Sequence, residues 1–366
     1  MNARKRKDWR VGAHLEDRVN REELYDRILG SLATACIGDA LGAPTEQRSI
    51  REIQETWGGR VEAFYAPPLD APFGSGRGAA QFTDDASQML YLVDEYIEHG
   101  GAITPRDMAD MLIIWSRDEE YYPRFCGPST RASIARLLEG GDPAKVGAIG
   151  RLTTEGTSNG AAMRVAPAGL AHPGDPEAAV RDALTTCLPS HATNHGVSGA
   201  GAIAAAVATA MIPGTPLIEV IRSARWGARE GERLGTEYGR EVGGATVPRR
   251  LDMALEIAAR SDNLYDTVDE IALTLGSGLP IVEAVPAALG VFLAANGDPW
   301  QTVIAAANLG DDTDTIGCMA GAIAGAFTGF GAVPQDAYNE MQAANGMEVE
   351  PRARAFADAV AQRIGL

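Results

Sequence analysis

TIGCMAGAIAGAFTG, residues 315–329, determines more of this protein's architecture than any other segment. Its glycines recur every four residues: Gly317, Gly321, Gly325 and Gly329. That spacing puts all four on one face of an α-helix, where the missing side chains let a neighbouring helix approach closely. In a lipid bilayer such a stripe would be a dimer contact. Because Asp311, Asp312 and Asp314 stand at the start of the segment, we expect a helix packed inside a soluble helical protein.

Two segments without charged residues, 197–212 and 315–333, are long enough that we ask whether they could span a membrane. Alanine and glycine dominate both segments, whereas leucine, isoleucine and phenylalanine are few. This composition gives only a weak drive into hydrocarbon. We therefore expect neither segment to span a membrane, and we expect no membrane partner.

Apolar residues recur with helical spacing along almost the whole chain. Asn20, with Glu23 three residues later, predicts a capping box at the start of the first helix. Thr83 predicts the start of another helix, and Thr104 followed by Pro105 the start of a third. Similar patterns predict helices over 130–139, 176–188, 196–212, 216–235, 250–260, 265–275, 281–296, 299–308, 314–329, 335–343 and 351–364.

Arg60–Tyr65 gives the best alternating pattern of a β-strand, and this pattern is short. No Pro- or Ser-rich linker divides the chain, and no repeat of fixed period occurs in it. We expect a single all-α domain over residues 20–366. Residues 1–19 contain the basic run RKRK at 4–7 and lack the apolar stretch of a signal peptide, so we expect a flexible basic N-terminal tail.

Charge and cysteine content limit which binding partners and which cellular compartment we expect. Of 366 residues, 45% are hydrophobic and 22% are charged, as in soluble globular proteins. Acidic residues number 49 and basic residues 32, and the net charge of −17 disfavours binding to nucleic acid or anionic lipid. The cysteines are far apart and form no CxxC pair: Cys36, Cys126, Cys187 and Cys318. Reduced thiols and a cytoplasmic location are the simplest interpretation.

Carboxylates concentrate at two predicted helix starts, residues 83–85 and 311–315. One interpretation is that each is an acidic helix N-terminus that complements the helix dipole. Taken together, the clusters offer carboxylate and threonine oxygens without Cys or His, ligands that suit Mg²⁺ or Mn²⁺. Asp84 and Asp85 point about 100° apart on a helix, so each would serve one of two ions. The aspartate-rich motif of terpene synthases is set aside, because no aromatic residue flanks 311–315.

Three further segments combine glycine with small polar residues, 38–42 leading to Glu46, 127–131 and 156–160. At helix starts such residues let backbone N–H groups reach the phosphates of a ligand. The alternative is that they form tight turns. His195 is either a substrate contact or a structural residue.

Six motifs, in order along the chain, resemble those of the ADP-ribosylglycohydrolase family. They are GDALG at 38–42 with Glu46, FTDD at 82–85, SNGAAMRVAP at 158–167, TNH at 193–195, EAVPAAL at 283–289 and NLGDDTDTIG at 308–317. Family members include an enzyme that removes ADP-ribose from nitrogenase reductase. The resemblance implies a compact all-α globule of orthogonal helices with a cleft for two Mg²⁺ or Mn²⁺ ions. It also implies cleavage between the anomeric carbon of ADP-ribose and a protein side chain or small molecule.

The resemblance assigns expected roles to individual residues. The metal ligands would be Thr83, Asp84, Asp85, Asp312, Asp314 and Thr315. Glu46 would be the general base or would stabilise the oxocarbenium-like transition state, with Asp312 or Asp314 as the other candidates. The substrate's diphosphate and ribose would contact Gly127, Ser129, Thr130, Ser158 and Asn159, with His195 nearer the far end of the substrate.

Two positions depart from the family pattern. Asp311 replaces the second glycine of the Gly-Gly-Asp-Thr-Asp-Thr motif of many members and adds negative charge beside the metal ligands. Phe125 stands where arginine-specific members carry an aspartate, two residues before Gly127, and this disfavours removal of ADP-ribose from arginine. Two alternatives to an ADP-ribosyl-protein hydrolase therefore stay open, a hydrolase of a related N- or O-ribosyl metabolite and a non-catalytic, crystallin-like binding member. The intact metal-ligand positions argue against the second alternative.

Overall fold

Two helices with small residues on their facing sides form the centre of the protein. In the computed structural model, which describes residues 19–366, α1 (Arg21–Gly42) and α16 (Thr313–Thr328) run antiparallel and in contact. Gly38 meets Gly317, and further along Gly30 meets Gly325, each without room for a side chain between the two backbones. The predicted close approach along the glycine stripe is confirmed.

The remaining helices pack around this pair. Eighteen α-helices and no β-strand occur among residues 19–366, and the other sixteen are α2 (Ile50–Trp57), α3 (Asp84–Glu98), α4 (Pro105–Trp115), α5 (Tyr122–Phe125), α6 (Pro128–Leu138), α7 (Gly160–Met163), α8 (Ala166–Leu170), α9 (Pro176–Cys187), α10 (Asn194–Ala210), α11 (Leu217–Tyr238), α12 (Val247–Ala258), α13 (Leu264–Leu275), α14 (Ile281–Ala294), α15 (Pro299–Ala307), α17 (Gln335–Ala344) and α18 (Val349–Ile364). The all-α prediction is confirmed.

Local side-chain contacts explain where several helices begin. The Asn20 side chain accepts hydrogen bonds from the N–H groups of Glu22 and Glu23, and Glu23 accepts from the Asn20 N–H at 2.9 Å. This is the predicted capping box of α1. A second one, Ser49 with Glu52, starts α2, a helix that was not among those predicted.

The short alternating pattern at Arg60–Tyr65 forms no strand, in agreement with the all-α prediction, and this segment is irregular in the structure. The Val61 N–H donates to Asn308 Oδ1, and the Val61 carbonyl accepts from Asn308 Nδ2, both at 2.8 Å. A single side-chain amide thus satisfies the backbone groups that a neighbouring strand would otherwise bind. The alternating pattern reflects only that Val61 is buried while its neighbours are not.

The two alanine- and glycine-rich segments both form buried helices. One is the central helix α16, and the other is α10, which packs closely on α11 where Gly201 meets Gly227. Among residues 19–366, no helix is both long and apolar enough to cross a bilayer. Residues 1–18, which make up almost all of the predicted tail, lie outside the described range, and Val19 is buried against the core.

Candidate active site

Carboxylates from both ends of the chain meet where the last turn of α1 faces the first turn of α16. Glu46 follows α1, Asp312 precedes α16, and Asp314 lies in the first turn of α16. One oxygen from each of these three residues lies within 4.8 Å of the others. We call this group the carboxylate cluster.

The glycine contact between the two helices brings the cluster together. Gly42, at the end of α1, abuts the backbone of Thr313 and Asp314. The hydroxyl of Thr313 donates to the Gly42 carbonyl at 2.9 Å, and Thr45 donates to the Ala307 carbonyl at 2.8 Å. These bonds fix the turn that carries Glu46 onto the start of α16. Residues 38–42 are therefore the last turns of a helix and not the helix start that their composition suggested.

Thr83 links the first turn of α3 to the carboxylate cluster. Its Oγ1 lies 3.1 Å from Asp85 Oδ2 and 3.3 Å from Asp314 Oδ2. Although Thr83 is the N-cap residue of α3 and Asp312 that of α16, neither side chain makes a capping hydrogen bond. The simple N-terminal capping interpretation thus fails for these two side chains. Asp85 Oδ1 is buried and has no hydrogen-bond partner among the described residues.

Burial and mutual repulsion make these carboxylates hard to ionise. Burial raises the pKa of Glu46 well above its usual value, and the charges of Asp312 and Asp85 raise it further. Burial is also the largest cause for Asp84, Asp85 and Asp314, whose pKa values rise well above the usual range, and it raises the pKa of Asp312. A bound cation would offset this cost, since it stabilises the ionised forms.

Asp39 supports the site, although it was not among the predicted site residues. It is fully buried in α1 and accepts hydrogen bonds from the Thr83 N–H at 2.8 Å and the Ala86 N–H at 2.9 Å. It therefore caps α3 from a different helix. Burial raises the pKa of Asp39 to about 6 against the opposing effect of these N–H groups. The only signal was its place in the GDALG segment.

The structure brings Asn159 and Thr315 to the carboxylate cluster. Asn159 Nδ2 donates to Asp312 Oδ2 at 2.6 Å, while its own N–H donates to the Leu279 carbonyl at 3.0 Å. Hydrogen bonds from the Thr315 side chain lower the pKa of Asp312 and of Asp85, against the raising effect of burial. Asn159, expected to contact the substrate, thus has a carboxylate partner in this structure.

The other expected substrate contacts form a second group beside the cluster. Ser129, in the first turn of α6, accepts from the Gly156 N–H at 3.1 Å, so the 127–130 and 156–160 segments lie together. Ser158 Oγ lies 2.9 Å from His191 Nε2. His195 is buried in α10, burial lowers its pKa, and its Nε2 has no partner within the described part of the chain.

Both departures from the family pattern have a structural setting. Asp311 has φ +60°, a left-handed conformation that glycine adopts without strain, and its N–H and C=O pair with Arg48 and Gln47. Phe125 ends α5 and is half-buried. The Arg77 guanidinium lies 5.3 Å from the Phe125 ring centroid, within the range of a cation–π contact.

Comparisons with known proteins agree with this arrangement. A family model described as ADP-ribosylglycohydrolase matches residues 20–365. YegU of Escherichia coli, a protein of uncharacterized function, is 31% identical over 92% of this chain and 98% of its own. Human ADP-ribosylhydrolase ARH3 is 29% identical over 84% of this chain and 87% of its own. A solved structure described as an ADP-ribosylglycohydrolase-related protein complex shares the fold, with a TM-score of 0.62 at 24% identity, over 94% of this chain and 100% of that one. With a family match over nearly its whole length and helices that place acidic residues from both chain ends together, the chain belongs to the ADP-ribosylglycohydrolase family.

Proposed function

We propose that this protein is a metal-dependent hydrolase that releases ADP-ribose from a protein side chain or a small molecule by cleavage at the anomeric carbon. The observation that carries the proposal is the convergence of Glu46, Asp312 and Asp314 within 4.8 Å. Family membership and the named activity of the human relative support the reaction class.

The donor set of the site fits two divalent cations, Mg²⁺ or Mn²⁺. Its ligands would be Thr83, Asp84, Asp85, Asp312, Asp314 and Thr315, which offer only oxygen. Asp85 Oδ1 is buried without a hydrogen-bond partner among residues 19–366, and the raised pKa of Asp85 shows that no positive charge there stabilises its ionised form, which a bound cation would do. When bound, such ions supply electrostatic stabilisation, orient sugar hydroxyls and lower the pKa of a water.

Residues of the chain itself would act as general base and would stabilise the transition state. Glu46 is more exposed than Asp312 and Asp314, so it faces the cleft and is our candidate to take a proton from the attacking water. Cleavage at the anomeric carbon builds positive charge on the ribose, which a nearby carboxylate also stabilises. Asn159 holds Asp312 in one orientation through its hydrogen bond. Asp312 is the second candidate for the base.

The surroundings of Phe125 favour a leaving group without positive charge. An arginine leaving group is a guanidine, and its guanidinium form binds best to a carboxylate through paired hydrogen bonds. Phe125 offers no carboxylate, and the neighbouring Arg77, whose side chain is 7% exposed, already occupies the nearby Glu120 carboxylate through an ion pair at 3.2 Å. The wall formed by Phe125 and Arg77 therefore fits a neutral side chain such as serine better than it fits arginine. A related N- or O-ribosyl metabolite is the second candidate substrate.

Release of free ADP-ribose from modified serine, modified arginine and small-molecule substrates tests the proposal. With excess Mg²⁺ we expect turnover of at least one of these substrates by the wild type and none by Asp314→Ala. The variant should keep its helical circular dichroism and lose metal affinity, because an oxygen ligand is removed and the core stays filled. Asp336→Ala, an exposed carboxylate on α17, is the matched control and should behave like the wild type. Full activity in excess chelator would contradict metal dependence.

A further inference from the structure

A single buried arginine lies between the carboxylate cluster and the turn that carries Ser158. Arg164 is fully buried just after α7. Its NH1 donates to Gln88 Oε1, and its NH2 donates to Ser190 Oγ at 2.9 Å. Two hydrogen-bond chains therefore leave one guanidinium in opposite directions.

The first chain ends on an expected metal ligand. A guanidinium can only donate hydrogen bonds, so Gln88 must turn its Oε1 towards Arg164 and its Nε2 away from it. Gln88 Nε2 donates to Asp84 Oδ2 at 3.0 Å, one helical turn earlier in α3. This bond fixes the orientation of the Asp84 carboxylate and leaves its other oxygen for a different partner.

The second chain ends on an expected substrate contact. Ser190 Oγ accepts from Arg164 and lies 2.9 Å from His191 Nδ1, so its own hydrogen is placed to be donated to that nitrogen. Nδ1 is then an acceptor, and the imidazole proton lies on Nε2, which donates to Ser158 Oγ at 2.9 Å. Burial, together with the charge of Arg164, lowers the pKa of His191 to about 3, so the ring stays neutral at pH 7. Ser158 accepts this bond and keeps its hydroxyl hydrogen for a further acceptor.

We propose that Arg164 is a positioning residue that sets the direction of both chains. Through Ser190 and His191 it makes Ser158 a hydrogen-bond donor towards an anionic ligand oxygen, such as a phosphate oxygen. Through Gln88 it orients Asp84 within the metal site. The inference rests on the proposed function only for the identity of the ligand and the metal.

The protonation pattern of His191 tests the second chain without any ligand. Two-bond ¹H–¹⁵N correlation spectra distinguish a neutral histidine protonated at Nε2 from one protonated at Nδ1, and His191→Gln identifies the signal. We expect the Nε2-protonated form in the wild type and a mixture of the two forms in Ser190→Ala. A wild-type His191 protonated at Nδ1 would overturn the proposal.

Binding measurements test the two chains separately, with Arg164 retained. Gln88→Met should weaken Mg²⁺ binding by roughly 10- to 100-fold, the usual effect of losing a partner of a metal ligand, and leave ADP-ribose affinity at saturating Mg²⁺ unchanged. Ser190→Ala should weaken ADP-ribose binding about tenfold and leave Mg²⁺ affinity unchanged. Calorimetric titration measures both affinities.

A buried serine outside the chains provides the control. Ser223 donates to the Ala205 carbonyl at 2.9 Å and accepts from Thr209 Oγ1 at 2.7 Å, and none of these residues belongs to either chain, so Ser223→Ala should alter neither affinity. A merely structural role for the network would change both affinities together or neither of them, and either result would overturn the proposal. A wild type that binds no ADP-ribose would contradict the proposed function, and the His191 spectra would still decide the direction of the chain.

Discussion

Replacing Gly317 by alanine should disable the carboxylate cluster although Gly317 is not part of it. A Cβ at this position would lie 2.8 Å from the Gly38 carbonyl carbon and closer still to its oxygen. Both are backbone atoms of α1 and cannot rotate away. To reach an ordinary contact of 3.4 Å, the two helices must separate by at least 0.6 Å (3.4 − 2.8).

The expected loss of stability follows from two opposing effects. Overpacking of a well-packed contact costs about 1–3 kcal/mol, and a clash between two backbones belongs at the upper end, about 3 kcal/mol. Alanine in a helix interior is favoured over glycine by about 1 kcal/mol. The net destabilisation is about 2 kcal/mol (3 − 1). The separation also moves α1 and its following turn, with Glu46, away from Asp312 and Asp314.

Gly325→Ala is the matched variant at the far end of the same contact. Its Cβ would clash with the Gly30 carbonyl and would lie 2.7 Å from Thr34 Oγ1. Position 325 is eight residues from position 317, about 12 Å along the helix axis and away from the cluster. We expect a similar loss of stability with the metal response preserved. Gly331→Ala, where a Cβ would meet nothing within 4 Å, should be close to neutral.

Two measurements separate these effects. Urea unfolding in chelator, followed by circular dichroism, gives the free energy of unfolding. The rise in melting temperature on adding Mg²⁺ shows whether the carboxylate cluster still binds the ion. Gly317→Ala should lose both stability and most of the Mg²⁺ response, and Gly325→Ala only stability. If Gly317→Ala were as stable as Gly331→Ala, or if both stripe variants lost the Mg²⁺ response equally, the reasoning would be refuted.

Three further predictions concern the acidic site and its wall. Without metal, the free energy of unfolding should fall as the pH rises from about 4 to 6. Folding raises the pKa of Asp39 from 3.8 to about 6. Between these pH values the folded state holds a proton that the unfolded state has lost, so a rise in pH favours unfolding. Over the same range the Mg²⁺-induced rise in melting temperature should grow, and a response independent of pH would contradict this assignment. Asp39→Ala should destabilise the protein by about 1–3 kcal/mol in urea unfolding, because two buried N–H groups lose their acceptor; an unchanged midpoint would contradict the capping role. Phe125→Asp should increase release of ADP-ribose from arginine only when combined with Arg77→Gln, because Arg77 would otherwise pair with the new carboxylate; an equal increase in the single variant would contradict this pairing.

Local interactions made much of the fold predictable from the sequence. Asn20 and Glu23 lie three residues apart, so their capping box is visible without knowing what α1 packs against. Ser49 and Glu52 carry the same signal, and Ile50, Ile53 and Trp57 follow helical spacing, so the short helix α2 was also predictable from the sequence. The alternating pattern at 60–65 does not reveal what binds the Val61 backbone, because that residue, Asn308, is 247 positions away in the sequence.

The site was predictable as a list of oxygen-bearing residues and not as an arrangement. The glycine stripe on α16 indicates a close neighbour, and Gly30, Gly38 and Gly42 on α1 carry the matching signal, but a single sequence does not show that these two faces pair. Arg164 lies in the SNGAAMRVAP motif, but its link to Gln88 is not visible in any pattern, because this hydrogen bond spans 76 positions. Such long-range polar contacts have no periodicity that a single sequence displays.

The antiparallel pairing of α1 and α16 also determines when the protein can acquire its site. Gly30 and Gly325 touch across 295 positions (325 − 30), so α1 is synthesised long before the helix that fills its glycine face exists. Contacts between such distant segments form late and slow the folding of a chain. The entropic cost of closing so long a loop grows only with the logarithm of its length, so this cost does not prevent the pairing once both helices are present. A nascent chain that ends before residue 311 therefore carries Glu46 but lacks Asp312 and Asp314, and it cannot assemble the carboxylate cluster.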